Sequence, residues 1–398
     1  MSKPHHLISS TPAAPKGRGY DSGLTYFDYD TDFWDETRPL CNKSLTVDMW
    51  DTDGPGSRYN GSQSCTQANQ TCTYQDEIFV QRVAEVLKNH SAQAPSAPLF
   101  LFWAPHAPHD PYQVPDAYLN KPVFASINVT ERRFYSAMVN LLDDNVGRVV
   151  QMFKDHGLWE NTLLILSSDN GGPEGSGYGA NNYPLFGSKS SNWEGGVRVN
   201  AFAAGGLIPA SRQGTVESGL IEISDWFSTF CGLAGVSADD PAAARAGLPP
   251  PDGLDMWPLL SGANSTSPRR YVLLGSSDNA QDAGNTIITG IVRADGFKLL
   301  LGEISSAFWT GPVFPNSTGA GGGSKNCGAT GCLYNVFADP TEHDEVSAEH
   351  PDIVAELQAI ITAESRTLFN PDRGTDDGKA CEKAFNEHGG FIGPFLDK

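Results

Sequence analysis

Thr162-Leu163-Leu164-Ile165-Leu166-Ser167-Ser168-Asp169-Asn170-Gly171-Gly172 runs from an apolar, β-capable segment straight into a carboxylate, an amide and two glycines. Consecutive bulky or β-branched residues predict a buried strand, and Asn-Gly-Gly predicts a sharp exit from it. In open α/β sheets, ligands sit at the carboxyl ends of strands. Adjacent Asp169 and Asn170 oxygens at such an end suit a hard divalent cation, calcium or magnesium. An ordinary turn after a strand is the bland reading, and the rest of the chain has to choose between them.

Working outward, Pro98–Trp103 is apolar at every position and predicts a strand buried on both sides. Around it lie two helical patterns. One spans about 74–89, with Ile78, Phe79, Val83, Val86 and Leu87 on one face. The other spans about 131–156, with Phe134, Met138, Leu141, Leu142, Val149 and Phe153 as its stripe, and its Asp143 and Asp144 read as a solvated face. Strand, helix, strand in this order implies a crossover unit in a mostly parallel sheet. Val197–Ala204 predicts a further strand, Ile223–Gly235 a helix capped near Ser224 or Asp225, and 236–251 a surface linker. From about 263 the pattern changes to short strands, at Tyr271–Leu274, Thr286–Val292 and Lys298–Leu301. A hairpin turn at Arg293–Gly296 joins the last two, and a covering helix follows near 351–368. The fold class read here is α/β, a mostly parallel sheet flanked by helices, with a smaller C-terminal antiparallel α+β subdomain. Its divisions are 1–262 and 263–398.

The chain has 398 residues, 39% of them hydrophobic, and a formal net charge of -20. That charge disfavours nucleic acid and a membrane-surface role. Any anionic substrate must therefore be met by a local cluster of cations. No run approaches the roughly 18 apolar residues of a membrane span. Seven N-x-S/T sequons occur, at Asn42, Asn60, Asn69, Asn89, Asn128, Asn264 and Asn316, against about two or three by chance. Cys41, Cys65 and Cys72 in one polar loop, with Cys327 and Cys332 in another, read as bridged, whereas Cys231 reads as a buried free thiol. Seven cysteines leave at least one without a partner in the chain. These features predict a secretory history, lysosomal or extracellular, although Met1–His6 carries no apolar leader core.

His106 and His109 follow the 98–103 segment in Ala104-Pro105-His106-Ala107-Pro108-His109-Asp110-Pro111, where the prolines predict an extended, stiff loop. Lys189 follows Asp169-Asn170, ahead of Trp193-Glu194-Gly195-Gly196-Val197-Arg198. The segments Asp169–Gly172, Asn182–Lys189 and Trp193–Arg198 together resemble the second half of a sulfatase, closest to the arylsulfatase B group. His109–Pro115 resembles that group's His-x-P-L-Q-V-P segment. Gly17–Asp21, Ile223–Trp226 and Asp252–Asp255 resemble others, and the likeness covers nearly the whole chain.

The resemblance implies an alkaline-phosphatase-like α/β fold. It implies calcium held by Asp169 and Asn170, with His109 and Lys189 contacting the sulfate ester of a sulfated sugar or aryl sulfate. Lys3 and His5 occupy the place of the family's early Lys-x-His or Lys-x-Asp element, with Pro4 replacing its usual tryptophan. Two family features are absent: no cysteine begins the C-x-P-S-R motif from which formylglycine is made, and no early Asp-Asp calcium pair occurs. The chain is therefore expected to lack its nucleophile, to bind calcium weakly, and to be an N-terminally truncated, inactive sulfatase. Two other readings stand beside this one: a pseudoenzyme that binds sulfated glycans, and a related phosphate or phosphonate esterase.

Overall fold

A computed structural model describes residues 14–28, 30–41, 44–52, 54–55, 65–175, 177–276, 287–312, 323–368 and 377–396. By internal contacts the chain divides into two compact units, Met1–Leu158 with Asp372–Lys398, and Trp159–Pro371.

In the first unit, helices Gln75–Gln93 and Thr130–Asp155 form where the apolar stripes predict them. Val83 and Leu87 from one helix and Val149 from the other enclose a shared core. Leu99, Leu101 and Trp103 pack on that core, while Phe100 and Phe102 are 55% and 70% exposed. This corrects the expectation of a strand buried on both sides. The 98–103 segment is extended with strand-like alternation, but it forms no ladder among the described residues. It covers the two helices with one face, and on the other Phe100 meets the Tyr20 ring at 6.1 Å.

A second cluster gathers Phe33, Trp34, Tyr74, Val114, Met138 and Leu141. The region read as loop also holds a hairpin, Thr37–Cys41 with Ser44–Val47. The C-terminal helix Lys379–Asn386 is tied to this hairpin by the Cys41–Cys381 disulfide. Gly390 and Ile392 exchange backbone hydrogen bonds with Val47 beside it.

In the second unit, strand Leu164–Ser167 pairs antiparallel with Ala201–Ala204, with Leu164 opposite Ala204 and Ser167 opposite Ala201. The described residues thus show mixed helices and strands but no mostly parallel sheet. Among the described residues Leu164–Ser167 has one strand neighbour, and it is half-buried rather than central. The C-terminal expectation is met more closely. Tyr271–Ser276, Ile287–Arg293, Phe297–Ile304 and Lys325–Asn335 form a four-stranded antiparallel sheet, each strand paired with the next.

Alternation along Phe297–Ile304 sends successive side chains to opposite faces. Leu299 joins Ile291 and Leu333 under helix Pro351–Glu364, which contributes Leu357 and Ile361. Leu300, Val292 and Tyr334 face the other way, onto Phe186 and Trp193. One face of the sheet is thus capped by a helix, and the other supports the loop that follows Asp169-Asn170.

The expected helix forms as Asp225–Leu233. Asp225 is wholly buried, and its carboxylate accepts from the Glu222 and Leu254 backbone N–H groups and from the Arg269 guanidinium. Cys65 pairs with Cys72 and Cys327 with Cys332, while Cys231 is free and half-buried rather than buried. No helix among the described residues is long and apolar enough to cross a membrane.

Candidate functional site

Asp169 is exposed and Asn170 half-buried where strand Leu164–Ser167 ends. The turn is fixed locally: Ser168 Oγ donates to the Asn170 carbonyl at 2.9 Å, and Asn170 Nδ2 donates to the Gly171 carbonyl at 2.9 Å. With its nitrogen committed, the Asn170 amide has Oδ1 left as an acceptor. Among the described residues, no protein donor takes that oxygen or the Asp169 carboxylate.

The following glycines let the Lys189 loop close onto this turn. Gly171 N–H donates to the Gly196 carbonyl at 2.9 Å, and Lys189 N–H donates to the Gly172 carbonyl at 3.2 Å. A Cβ on Gly171 would lie 1.8 Å from the Gly195 carbonyl oxygen, and one on Gly195 would lie 2.1 Å from the Gly187 oxygen. Only glycine fits at either position. Asn182 completes the clasp, with Oδ1 accepting from Gly172 N–H at 2.9 Å and Nδ2 donating to the Gly172 carbonyl at 2.8 Å. Asp169, Asn170 and Lys189 are thereby carried on one hydrogen-bonded backbone assembly inside the second unit. The role of Asn182 was not read from the sequence, where it stood only as part of a motif.

His109 belongs to the first unit, whose loop departs from the extended course predicted for it. The Ala107-Pro108 and Asp110-Pro111 bonds are both cis, and His109 N–H closes a turn on the His106 carbonyl at 3.0 Å. Two histidines that look alike in sequence separate here. His106 is 4% exposed, donates Nδ1–H to Gln75 Oε1 at 2.7 Å and stacks on Phe33 at 4.0 Å, so it belongs to the core. Asp76, beside Gln75, is wholly buried, and burial raises its carboxyl pKa to about 7 against the pull of the nearby Ala107 and His106 backbone N–H groups.

His109 is half-buried, and its Nδ1 meets the Asp110 carbonyl at 2.7 Å and the Asp110 carboxylate at 3.0 Å. This orients the ring. Asp30 lies close by: burial raises its pKa, Asp110 raises it further, and His109 opposes both. Lys3 and His5 fall outside the described residues.

Two oxygen donors on a rigid turn, unclaimed by protein hydrogens, match the ligand chemistry of a hard divalent cation. Their number falls short of a full shell, and no group of three or more metal-ligating side chains occurs among the described residues.

Comparisons place this assembly among known proteins. Residues 3–236 match the family model described as Sulfatase. The chain is 30% identical over 401 residues to mouse (Mus musculus) arylsulfatase J, across 96% of this chain and 61% of that protein. To pig (Sus scrofa) N-acetylgalactosamine-6-sulfatase it is 32% identical over 238 residues, covering 59% of this chain and 38% of that one. It thus spans less than two thirds of these relatives' lengths.

Among solved structures, Ps i-CgsB in complex with k-i-k-neocarrahexaose superimposes with a TM-score of 0.66 at 21% identity, covering 94% of this chain and 72% of that one. The PsFucS1 sulfatase from Pseudoalteromonas sp. gives 0.56 at 22% identity, over 74% and 54% of the two chains. These two likenesses establish the fold. Together with the match over 3–236, the clasp built from Asp169–Gly172, Asn182–Lys189 and Trp193–Arg198 leads to one statement: this chain belongs to the sulfatase family.

Proposed function

We propose that the chain is the sulfate-ester-binding part of a sulfuric ester hydrolase of the arylsulfatase type, acting on sulfated sugars. In this reading 1–262 is the catalytic portion and 263–398 is the smaller subdomain. One observation carries the reading most: backbone hydrogen bonds bind the Asp169-Asn170 turn to the Lys189 loop, so an oxygen pair and a cation share one support.

The chemistry fits a sulfate monoester, which carries spread negative charge and leaves an alkoxide. Lys189 and His109 donate to the sulfate oxygens, and the lysine neutralises part of that charge. Lys3 and His5 are assigned the same task. Asp169 and Asn170 supply oxygens to calcium, which when bound adds electrophilic stabilisation. With two of the roughly six to eight ligands a calcium ion takes, affinity is expected to be low. The sequence has no C-x-P-S-R cysteine, so binding without turnover is expected. A chain that has become a sulfated-glycan binder is the second reading, favoured by that same absence. The sequons support a secretory, lysosomal or extracellular setting. Asn69, Asn89, Asn128 and Asn264, the four in described segments, are all exposed.

Calorimetry with N-acetylgalactosamine 4-sulfate, in calcium and in chelator, tests this. Calcium-dependent binding is expected, weakened about tenfold or more by Asp169→Ala or Lys189→Ala, with no release of 4-nitrophenol from 4-nitrophenyl sulfate. Absence of any binding would overturn the reading. Turnover abolished by Asp169→Ala would overturn the inactivity.

A further inference from the structure

We infer that Lys298, Glu194 and Glu342 form a buried ionic clasp that positions the Asp169-Asn170 turn and the Lys189 loop from the antiparallel sheet beneath them. The inference rests on the proposed sulfate-ester site and assigns three positioning residues to it.

Lys298 is wholly buried, with Glu342 1% and Glu194 4% exposed. On strand Phe297–Ile304 it shares the face of Leu300, surrounded by Val292, Tyr334 and Trp193. Its ammonium lies 2.8 Å from Glu194 Oε1 and 3.0 Å from Glu342 Oε1. Burial pushes the Lys298 pKa down, but the two carboxylates more than reverse this and keep it charged. Glu342 Oε2 also accepts the Glu194 backbone N–H at 2.7 Å, so the clasp grips both main chain and side chain of one residue.

A buried ion cluster is a poor way to gain stability, because well-packed apolar residues of similar volume do as well or better. What it supplies here is a fixed location for Glu194. Glu342 sits at φ 54° and Ser190, beside Lys189, at φ 70°. Such left-handed conformations are disfavoured for residues with a side chain and persist where surrounding structure over-determines them.

Glu194 opens the short helix Glu194–Val197. Its Gly196 carbonyl receives Gly171 N–H, and Gly195 N–H donates to the Phe186 carbonyl at 2.7 Å. Displacing Glu194 therefore moves the turn that carries Asp169-Asn170 and the loop that carries Lys189.

The test compares a neutral clasp, Glu194→Gln/Lys298→Met/Glu342→Gln, with Leu357→Ala, which weakens the same sheet from its opposite face. Glu342→Gln alone is the milder variant should the triple fail to fold. Three measurements are made on the full chain: melting temperature, binding of terbium (as calcium probe) and of N-acetylgalactosamine 4-sulfate, and amide exchange of residues 169–172 and 194–197. The clasp variants are expected to lose about tenfold or more in both affinities and to exchange faster in those two segments. Leu357→Ala is expected to keep both within about twofold at an equal or lower melting temperature. Unchanged exchange in a folded clasp variant would overturn the inference, as would equal losses in Leu357→Ala. If the wild-type chain binds neither probe, the proposed site fails, and the exchange data alone then decide whether the clasp holds the loops.

Discussion

At the scale of single residues, the two histidines of the 104–111 loop show what sequence can and cannot separate. His106 lies in a stack with Phe33 and, through it, Tyr74 at 5.1 Å, while His109 is held by Asp110 near the surface. Truncation should therefore act oppositely on stability and binding. His106→Ala removes a buried ring and a buried hydrogen bond, for an expected loss of about 2–4 kcal/mol in denaturant unfolding. His109→Ala should stay within about 1 kcal/mol of wild type. It should nonetheless weaken N-acetylgalactosamine 4-sulfate binding by about tenfold or more, the worth of one charge-assisted hydrogen bond. Equal stability losses in both variants would show that the loop is one structural unit without a ligand-facing member. Asp169, Asn170 and Lys189 stand out in the sequence because each sits in a contiguous motif whose residue types suggest a chemistry, and the structure brings their two loops together. The role of Glu194 does not, because Lys298, which binds its side chain, and Glu342, which takes its backbone N–H, lie 104 and 148 residues away. No local pattern encodes a contact at that range.

Among elements, the helices were the most readable. Gln75–Gln93 and Thr130–Asp155 formed within a few residues of the positions their apolar spacing marks, because a 3.6-residue period has few competing explanations. Strand partners were less readable, since apolar runs say that a segment is covered but not by what. Leu164–Ser167 pairs antiparallel with Ala201–Ala204, and the 98–103 segment is alternating and one-sided. Strand Lys325–Asn335 went unread because Asn, Gly and Cys dominate its first half, and a disulfide bridges two of its own cysteines. The two well-separated classes of disulfide give an element-scale prediction. Cys327–Cys332 spans 5 residues and Cys41–Cys381 spans 340. In the chain-entropy limit the first contributes about 2 kcal/mol and the second about 6. Cys41→Ser/Cys381→Ser should accordingly shift the urea midpoint much further than Cys327→Ser/Cys332→Ser. It should also free helix Lys379–Asn386 to protease cleavage. Equal shifts would mean that packing of Ala384 and Ile392 on the hairpin, not chain linkage, holds the C-terminal segment.

For the molecule as a whole, an acidic chain of net charge -20 buries carboxyl groups in its first unit, and this sets how stability responds to pH. Burial, then the neighbouring Asp35 and Asp32, raises Glu36 from 4.5 to about 9. Burial raises Asp48 and Asp76 from 3.8 to about 7, against hydrogen bonds that pull the other way. All three folded values exceed those of the unfolded chain, so between them the unfolded state has released protons that the native state retains. Their stabilisation is complete below about pH 4 and is lost as pH rises towards 7 for the aspartates and 9 for the glutamate. Each carboxyl contributes a slope of at most about 1.4 kcal/mol per pH unit in its window. Glu77 and Asp295, held below their ordinary values by Arg148 and Arg293, work in the opposite sense, but their gain is finished once pH passes the unfolded carboxylate range. The melting temperature is therefore expected to fall between pH 5 and pH 8. Glu36→Gln, which keeps the shape and discards the titration, should flatten the upper part of that fall. A melting temperature that rises across this range, or one whose slope Glu36→Gln leaves untouched, would show that these carboxyls are ionised in the native state and satisfied by partners inside the first unit.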